Sequence, residues 1–228
     1  MIRDLGPYTP RRPSKLNGPL LAMLLNAVHD LCAGRVFVLQ VGAGTGEGAP
    51  PLLPRVRDEG WSGLLIEPLP RNFAQLDALH RESERIAILN LGISDISATL
   101  ALHALTPEAA EARPRMSPHR ASLTRDRLLG EGIAEADLEK VDVPVLRMET
   151  VLGELGIDSA QLLAINAGGH EAQVLASFDL AALGPALVLL HAGPGSEVEA
   201  DSLPTLAVAG FLPFRIGDWL AALSPGRL

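Results

Sequence analysis

Residues 35–48 read RVFVLQVGAGTGEG, and this stretch decides the fold. Its first seven residues form a β-branched and aromatic run, the composition of a buried strand. The run is stopped by Gly42, Ala43, Gly44, Thr45, Gly46, Glu47 and Gly48. Pro50 and Pro51 follow and can open a helix, because N–H groups in a first turn have no intrahelical partner and a proline there sacrifices nothing. The unit expected is strand, tight turn, helix. Such a turn lets the backbone approach a ligand closely and aims helix N–H groups at it. Read from Gly44, the run GTGEGA even satisfies the dinucleotide pattern G-x-G-x-x-A, although a purely structural glycine turn produces the same letters.

Downstream, residues 62–66 (SGLLI) read as a second strand ending at Glu67 and Pro68, followed by a helix over 71–82. Residues 86–93 (IAILNLGI) read as a third strand, with 99–103 expected to pair beside it. Further strands are expected at 141–146, 161–165 and 186–190, the last ending at His191, with helices at 150–155, 171–178 and 197–209. Residues 211–216 and 219–223 read as a closing hairpin, and 16–33 as a helix ended by Gly34. Strands alternating with helices imply a mostly parallel sheet covered on both faces, which binds ligands at the carboxyl ends of its strands.

The 228 residues are 47% hydrophobic, which excludes disordered and collagenous classes and is enough for one sizeable core. We expect one domain over 1–228, with 1–34 as an arm and helix and 106–140 as an insertion. The net charge of −8 argues against nucleic-acid and anionic-membrane partners, whose binding is driven by charge neutralisation. Cys32 is the only cysteine, which suits a reducing compartment, and the expected location is the cytoplasm. The apolar stretches 19–28 and 181–192 fall short of the ~20 residues that a spanning helix needs. The insertion gathers Arg113, Arg115, His119, Arg120, Arg125 and Arg127, followed by Glu131, Glu135, Asp137 and Glu139. That cluster could recognise an anionic acceptor, but a solvated face offset by the adjacent acids is the commoner meaning of such a run. His103 and His119 lack partners at metal-ligand spacing, and Trp61 and Trp219 read as packing residues.

Glu67 lies 21 positions after Gly46, at the end of the second strand. An acid there can accept hydrogen bonds from both hydroxyls of an adenosine ribose. NAD and S-adenosylmethionine both present those hydroxyls, and turn and acid together do not choose between them.

Over about residues 35 to 192 the chain resembles the FkbM family of S-adenosylmethionine-dependent methyltransferases. In that family the first strand ends in an acid, a hydrophobic residue, Gly-Ala-Asn and a further glycine; here the run is Gln40, Val41, Gly42, Ala43, Gly44, Thr45, Gly46. The family's Glu-Pro with a following aromatic is matched by Glu67, Pro68 and Phe73, and its small-residue turn by Gly92, Ile93, Ser94 and Asp95. A Val-x-Val-x-Thr-Leu-Asp-like segment appears as residues 143–149 (VPVLRME). The family's Leu-Lys-Ile-Asp-Val-Glu-Gly-x-Glu appears as residues 163–171 (LAINAGGHE), followed by Val174 and Leu175.

The resemblance implies an α/β, Rossmann-like three-layer sandwich with a mostly parallel seven-stranded sheet and a closing antiparallel hairpin. It implies S-adenosyl-L-methionine as cofactor, held by Gln40, Gly42, Ala43, Gly44, Gly46, Glu67, Pro68, Gly92, Ile93 and Ser94. Four family acids are replaced, by Gln40, Asn166, Gly168 and His191. Hard divalent cations are held chiefly by carboxylates, so no metal is expected. Methylating a hydroxyl requires a base, and His170 and His191 stand at the carboxyl-end rim where neutral imidazole can serve. Against this, His191 also reads as a structural histidine and His170 as a water-exposed helix start. Asn166 is expected to place the acceptor. The expected reaction is O-methylation of a small molecule or sugar hydroxyl. The alternatives are a non-catalytic binding protein of the same fold and, with less support from the later motifs, an NAD-dependent oxidoreductase.

Overall fold

The computed structural model describes residues 16–47, 50–113 and 120–227. In chain order these form α1 (Asn17–Leu31), β1 (Phe37–Val41), α2 (Leu53–Asp58), β2 (Ser62–Ile66), α3 (Pro70–His80), β3 (Ile86–Leu89), β4 (Gly92–Ile93) and β5 (Ala98–Leu105). There follow α4 (Pro107–Glu111), β6 (Ala121–Ser122), α5 (Arg125–Gly130), β7 (Leu138–Leu146), α6 (Met148–Leu155) and β8 (Leu162–Ile165). The last elements are α7 (Glu171–Leu175), α8 (Leu180–Leu183), β9 (Leu187–His191), α9 (Glu197–Val208), β10 (Leu212–Ile216) and β11 (Trp219–Leu223). Among the described residues no helix is long and apolar enough to cross a membrane.

The seven-stranded sheet has the order β10-β11-β9-β8-β1-β2-β3. Its strands are parallel from β9 to β3, while β11 and β10 run antiparallel as the closing hairpin. β1, β8 and β9 are near-continuous apolar runs because both faces are covered. Leu39, Leu64, Ile165 and Val188 face one core with Met148 and Leu206, whereas Val38, Leu65, Leu162 and Leu189 face the other with Leu25 and Leu76. This is the Rossmann-like three-layer sandwich. Trp61 is fully buried in the second core, its Nε1 donating to His29 Nδ1 at 3.0 Å.

Several expectations need correction. The strand expected at 86–93 is two strands, because Asn90 interrupts it: its Nδ2 donates to the carbonyls of Glu67 and Pro68 at 2.8 and 3.1 Å. Residues 99–103 do not pair beside β3; they lie in β5, antiparallel to β7 with Leu100 opposite Val143, in a second sheet of order β4-β7-β5-β6. Its alternating burial, with one wet face, sets it apart from the parallel sheet. The helix after the glycine turn opens at Leu53 with Pro54 in its first turn, rather than at Pro50 and Pro51. Pro51 disfavours helical geometry at the residue before it. The boundaries of α3 and α7 also fall short of the expected 82 and 178, α7 stopping before Ser177, whose hydroxyl donates back to the Val174 carbonyl.

The described residues of 106–140 form α4, β6, α5 and the start of β7, with Ala109, Leu128 and Ile133 packed together against Leu105 of β5. Arg115 and His119 lie outside the described residues, as do Gly48, Ala49 and the arm before residue 16.

Candidate active site

β1 is flanked by β2 on one side and β8 on the other, so the chain order reverses there and a crevice opens at the carboxyl ends. A cavity of about 670 Å³ occupies it, roofed by β5, β6 and α5. That volume suits a drug-sized ligand.

One half is built on the glycine turn. The N–H groups of Gly42 and Ala43 both donate to the Ile66 carbonyl, at 2.9 and 3.1 Å, folding the turn onto the end of β2. Gly42 has φ +72°, and a Cβ there would sit 2.0 Å from the Asn166 carbonyl oxygen, so only glycine lets β1 and β8 approach. Glu67 is 4% exposed, with Oε2 accepting from Gly44 N–H at 2.7 Å and Oε1 from Leu69 N–H at 3.0 Å and Asn72 Nδ2 at 3.3 Å. A carboxylate has about four acceptor positions, and these three donors leave room for more. Burial pushes its carboxyl upward from the usual range, while the three donors pull the other way.

Gly42, Ala43, Gly44, Glu67, Pro68, Gly92 and Ile93 line the cavity, together with Thr45, which the sequence reading passed over. Gln40, Gly46 and Ser94 do not. Gln40 is buried within β1, and Gly46 serves packing, since a Cβ there would fall 2.9 Å from the side chains of Leu76 and Leu79 on α3. Ser94 stands behind the wall and acts on a neighbour instead.

That neighbour is His170, whose Nε2 lies 2.9 Å from Ser94 Oγ. Ser94 O–H donates to Asp95 Oδ1 at 3.1 Å, and a hydroxyl has one proton, so the ring must donate from Nε2, leaving Nδ1 as the acceptor. His170 is half-buried rather than a water-exposed helix start, and burial depresses its pKa against the opposing pull of Asp95. His191, at the end of β9, meets Trp219 edge-on with centroids 5.2 Å apart. Burial is the main cause of its lowered pKa; Arg127 and Arg120 push the same way, and Asp218 and Glu131 oppose. Trp219 therefore packs, as expected, but also borders the cavity.

Asn166, Gly168, His170 and His191 all line this second half. Their loop is held by Glu171, fully buried, whose Oε1 accepts from Ala167 N–H at 2.9 Å and Oε2 from Gly169 N–H at 3.0 Å. Burial raises its pKa. Its position just after a double glycine, in the first turn of α7, was the available signal. Gly168 has φ +62°, and a Cβ there would lie 2.2 Å from the Ala121 carbonyl oxygen, while Ser122 Oγ donates to the Gly168 carbonyl at 2.7 Å. β6 thus fills the space that the family's glutamate would need. Arg120 and Arg127 line the same half, both paired to Glu131, so part of the basic cluster faces the cavity rather than bulk solvent. Among the described residues no group of three or more His, Cys, Asp or Glu is placed to hold a metal.

The model of the methyltransferase FkbM domain matches residues 40–218. A methyltransferase FkbM from Methylobacillus flagellatus KT is similar in fold, with TM-score 0.54 and 13% identity, over 83% of this chain and 44% of that one. This chain therefore spans less than half the length of that protein. The methyltransferase domain of METTL16 is similar with TM-score 0.50 and 15% identity, over 91% of this chain and 68% of that one. None of the curated proteins matches the chain. With the family model covering the glycine turn, the Glu67 corner and the β8 loop alike, the chain belongs to the FkbM methyltransferase domain family.

Proposed function

We propose that the protein binds S-adenosylmethionine and methylates a hydroxyl on a small molecule or sugar. The observation that carries this reading is Glu67: a buried carboxylate, fixed by Gly44, Leu69 and Asn72, that still lines a cavity floored by the glycine turn. The residues fit the cofactor: Glu67 would accept from its ribose hydroxyls, the turn's backbone would take its amino-acid end, and Gly92 and Ile93 would lie along its adenine. When bound, the cofactor supplies a methyl group on a sulfonium: the acceptor oxygen forms the new C–O bond, the S–C pair leaves on sulfur, and the hydroxyl proton is lost.

The chain's part is to orient the acceptor, exclude water and take that proton. Both cavity histidines have depressed pKa values and are neutral in the neutral range. His170 offers Nδ1, its other nitrogen being committed to Ser94. The His191 ring has no hydrogen-bond partner among the described residues, which leaves it available to an acceptor. Asn166, just past the end of β8 and lining the same cavity, can hold the acceptor by hydrogen bonding. The test is release of S-adenosylhomocysteine across a panel of hydroxyl acceptors. Replacing the responsible histidine by Ala should lower kcat by at least about 10²-fold with cofactor affinity nearly unchanged.

A second reading, a non-catalytic binding protein, is favoured by Gly168, where β6 occupies the place of a family carboxylate. Cofactor binding with no methylation of any acceptor would select it. The nicotinamide reading gains nothing from the family match, and NAD should not compete with S-adenosylhomocysteine.

A further inference from the structure

The arginines of the cavity roof differ from the others in how they are paired. Among the described residues, Arg113 with Asp137, Arg125 with Glu135 and Arg215 with Glu199 are one-to-one pairs. Arg120 and Arg127 instead share one carboxylate: Arg120 Nε donates to Glu131 Oε2, and Arg127 Nε lies 3.6 Å from Glu131 Oε1. Both approach through Nε, so the terminal Nη groups have no hydrogen-bond partner among the described residues. Arg127 is also near enough to the buried Glu171 to act on it, so what the two guanidiniums offer the cavity is a set of unpaired Nη donors rather than an excess of charge. Of the carboxylates that line the cavity, only Glu131 is paired with these arginines. Glu67 is bound to amides in the cofactor half, and Asp218 sits on the hairpin turn, where it acts on His191.

We propose that Arg120 and Arg127 form an oxyanion-binding site in the acceptor half of the cavity, taking a carboxylate, phosphate or sulfate group of the acceptor. A planar fork of donors suits such a group, and a pair of forks set by one shared anchor is pre-organised for it. The site stands on the side-chain geometry alone; that the anion belongs to the methyl acceptor rests on the methyltransferase reading. Both arginines are close enough to His191 to influence its protonation, so the bound anion would lie beside a candidate base. The acceptor would then be a small molecule carrying its hydroxyl close to a negative group.

The test is calorimetric titration of the whole protein with inorganic phosphate, and separately sulfate and acetate, at fixed ionic strength. Saturable millimolar binding of at least one is expected, weakened at least about tenfold in Arg120→Gln and in Arg127→Gln, the factor one charge-assisted hydrogen bond provides. Arg125→Gln, in the exposed pair with Glu135, should bind as the parent does. Because Arg127 also packs against Gly169, a poorly folded Arg127 variant would leave the parent and Arg120→Gln titrations to decide. Absence of saturable binding by all three anions in the parent, or parental affinity in Arg120→Gln, overturns the proposal. The same proteins titrated with S-adenosylhomocysteine separate the two readings. Anion binding lost with the arginines while no protein binds S-adenosylhomocysteine keeps the oxyanion site and removes the methyltransferase reading.

Discussion

Gly42 shows how one absent side chain sets a site. Its φ of +72° and the 2.0 Å approach of the Asn166 carbonyl to any Cβ mean that Gly42→Ala must push β1 and β8 apart where the cavity opens. Backbone strain at such a position costs about 1–3 kcal/mol before the clash is counted. The expected outcome is a lower Tm and lost S-adenosylhomocysteine binding, and an unchanged Tm in a thermal melt would show the approach to be looser than described. The histidines give a pH prediction whose sign follows from burial. Both pKa values lie below the ordinary 6.5, so the base stays unprotonated to lower pH than a free imidazole. The acid limb of kcat/KM should therefore fall below pH 6.5, and a limb above that value would contradict the burial argument. By linkage, the unfolded chain takes up these protons first, so stability is present above the ordinary value and declines as pH falls through it.

Between elements, the main surprise is the second sheet. The sequence pattern made the parallel strands legible because continuous apolar runs such as LVLLH in β9 need no partner to be recognised. The break at Asn90 was not legible, since it depends on the carbonyls of Glu67 and Pro68, more than twenty residues earlier in sequence. The Glu67 corner was readable as a motif, but the use of Ser94 to orient His170 was not, because the two are brought together only by folding. The same holds for β6 against the Gly168 turn. Restoring the family residue with Gly168→Glu should displace β6 and break the Ser122 to Gly168 hydrogen bond. We expect destabilisation of about 1–3 kcal/mol or more and faster proteolysis within 106–140, without gain of activity. Parental Tm and protease resistance in the Gly168→Glu variant would show that β6 does not fill that space.

At the scale of the molecule, a parallel sheet with its order reversing at β1 makes the crevice, and residues of β6, α5 and the β10–β11 hairpin line it. The half proposed for the cofactor and the half proposed for the acceptor are both lined by residues just past the carboxyl ends of β1 and β8. With Gln40, Asn166 and Gly168 in place of family carboxylates, methyl transfer should continue in EDTA; activity abolished by chelator and restored by Mg²⁺ would contradict this. The proposed function stands or falls on whether the glycine turn and Glu67 hold an adenosine cofactor. Its most direct test is calorimetric titration of S-adenosylhomocysteine into the parent and into Glu67→Ala, well below the Tm of each. Saturable one-to-one binding by the parent is expected, with a loss of about 1.5–3 kcal/mol in the variant, the worth of hydrogen bonds to a charged acceptor. Equal affinity in the two proteins, or no binding by the parent, would contradict it.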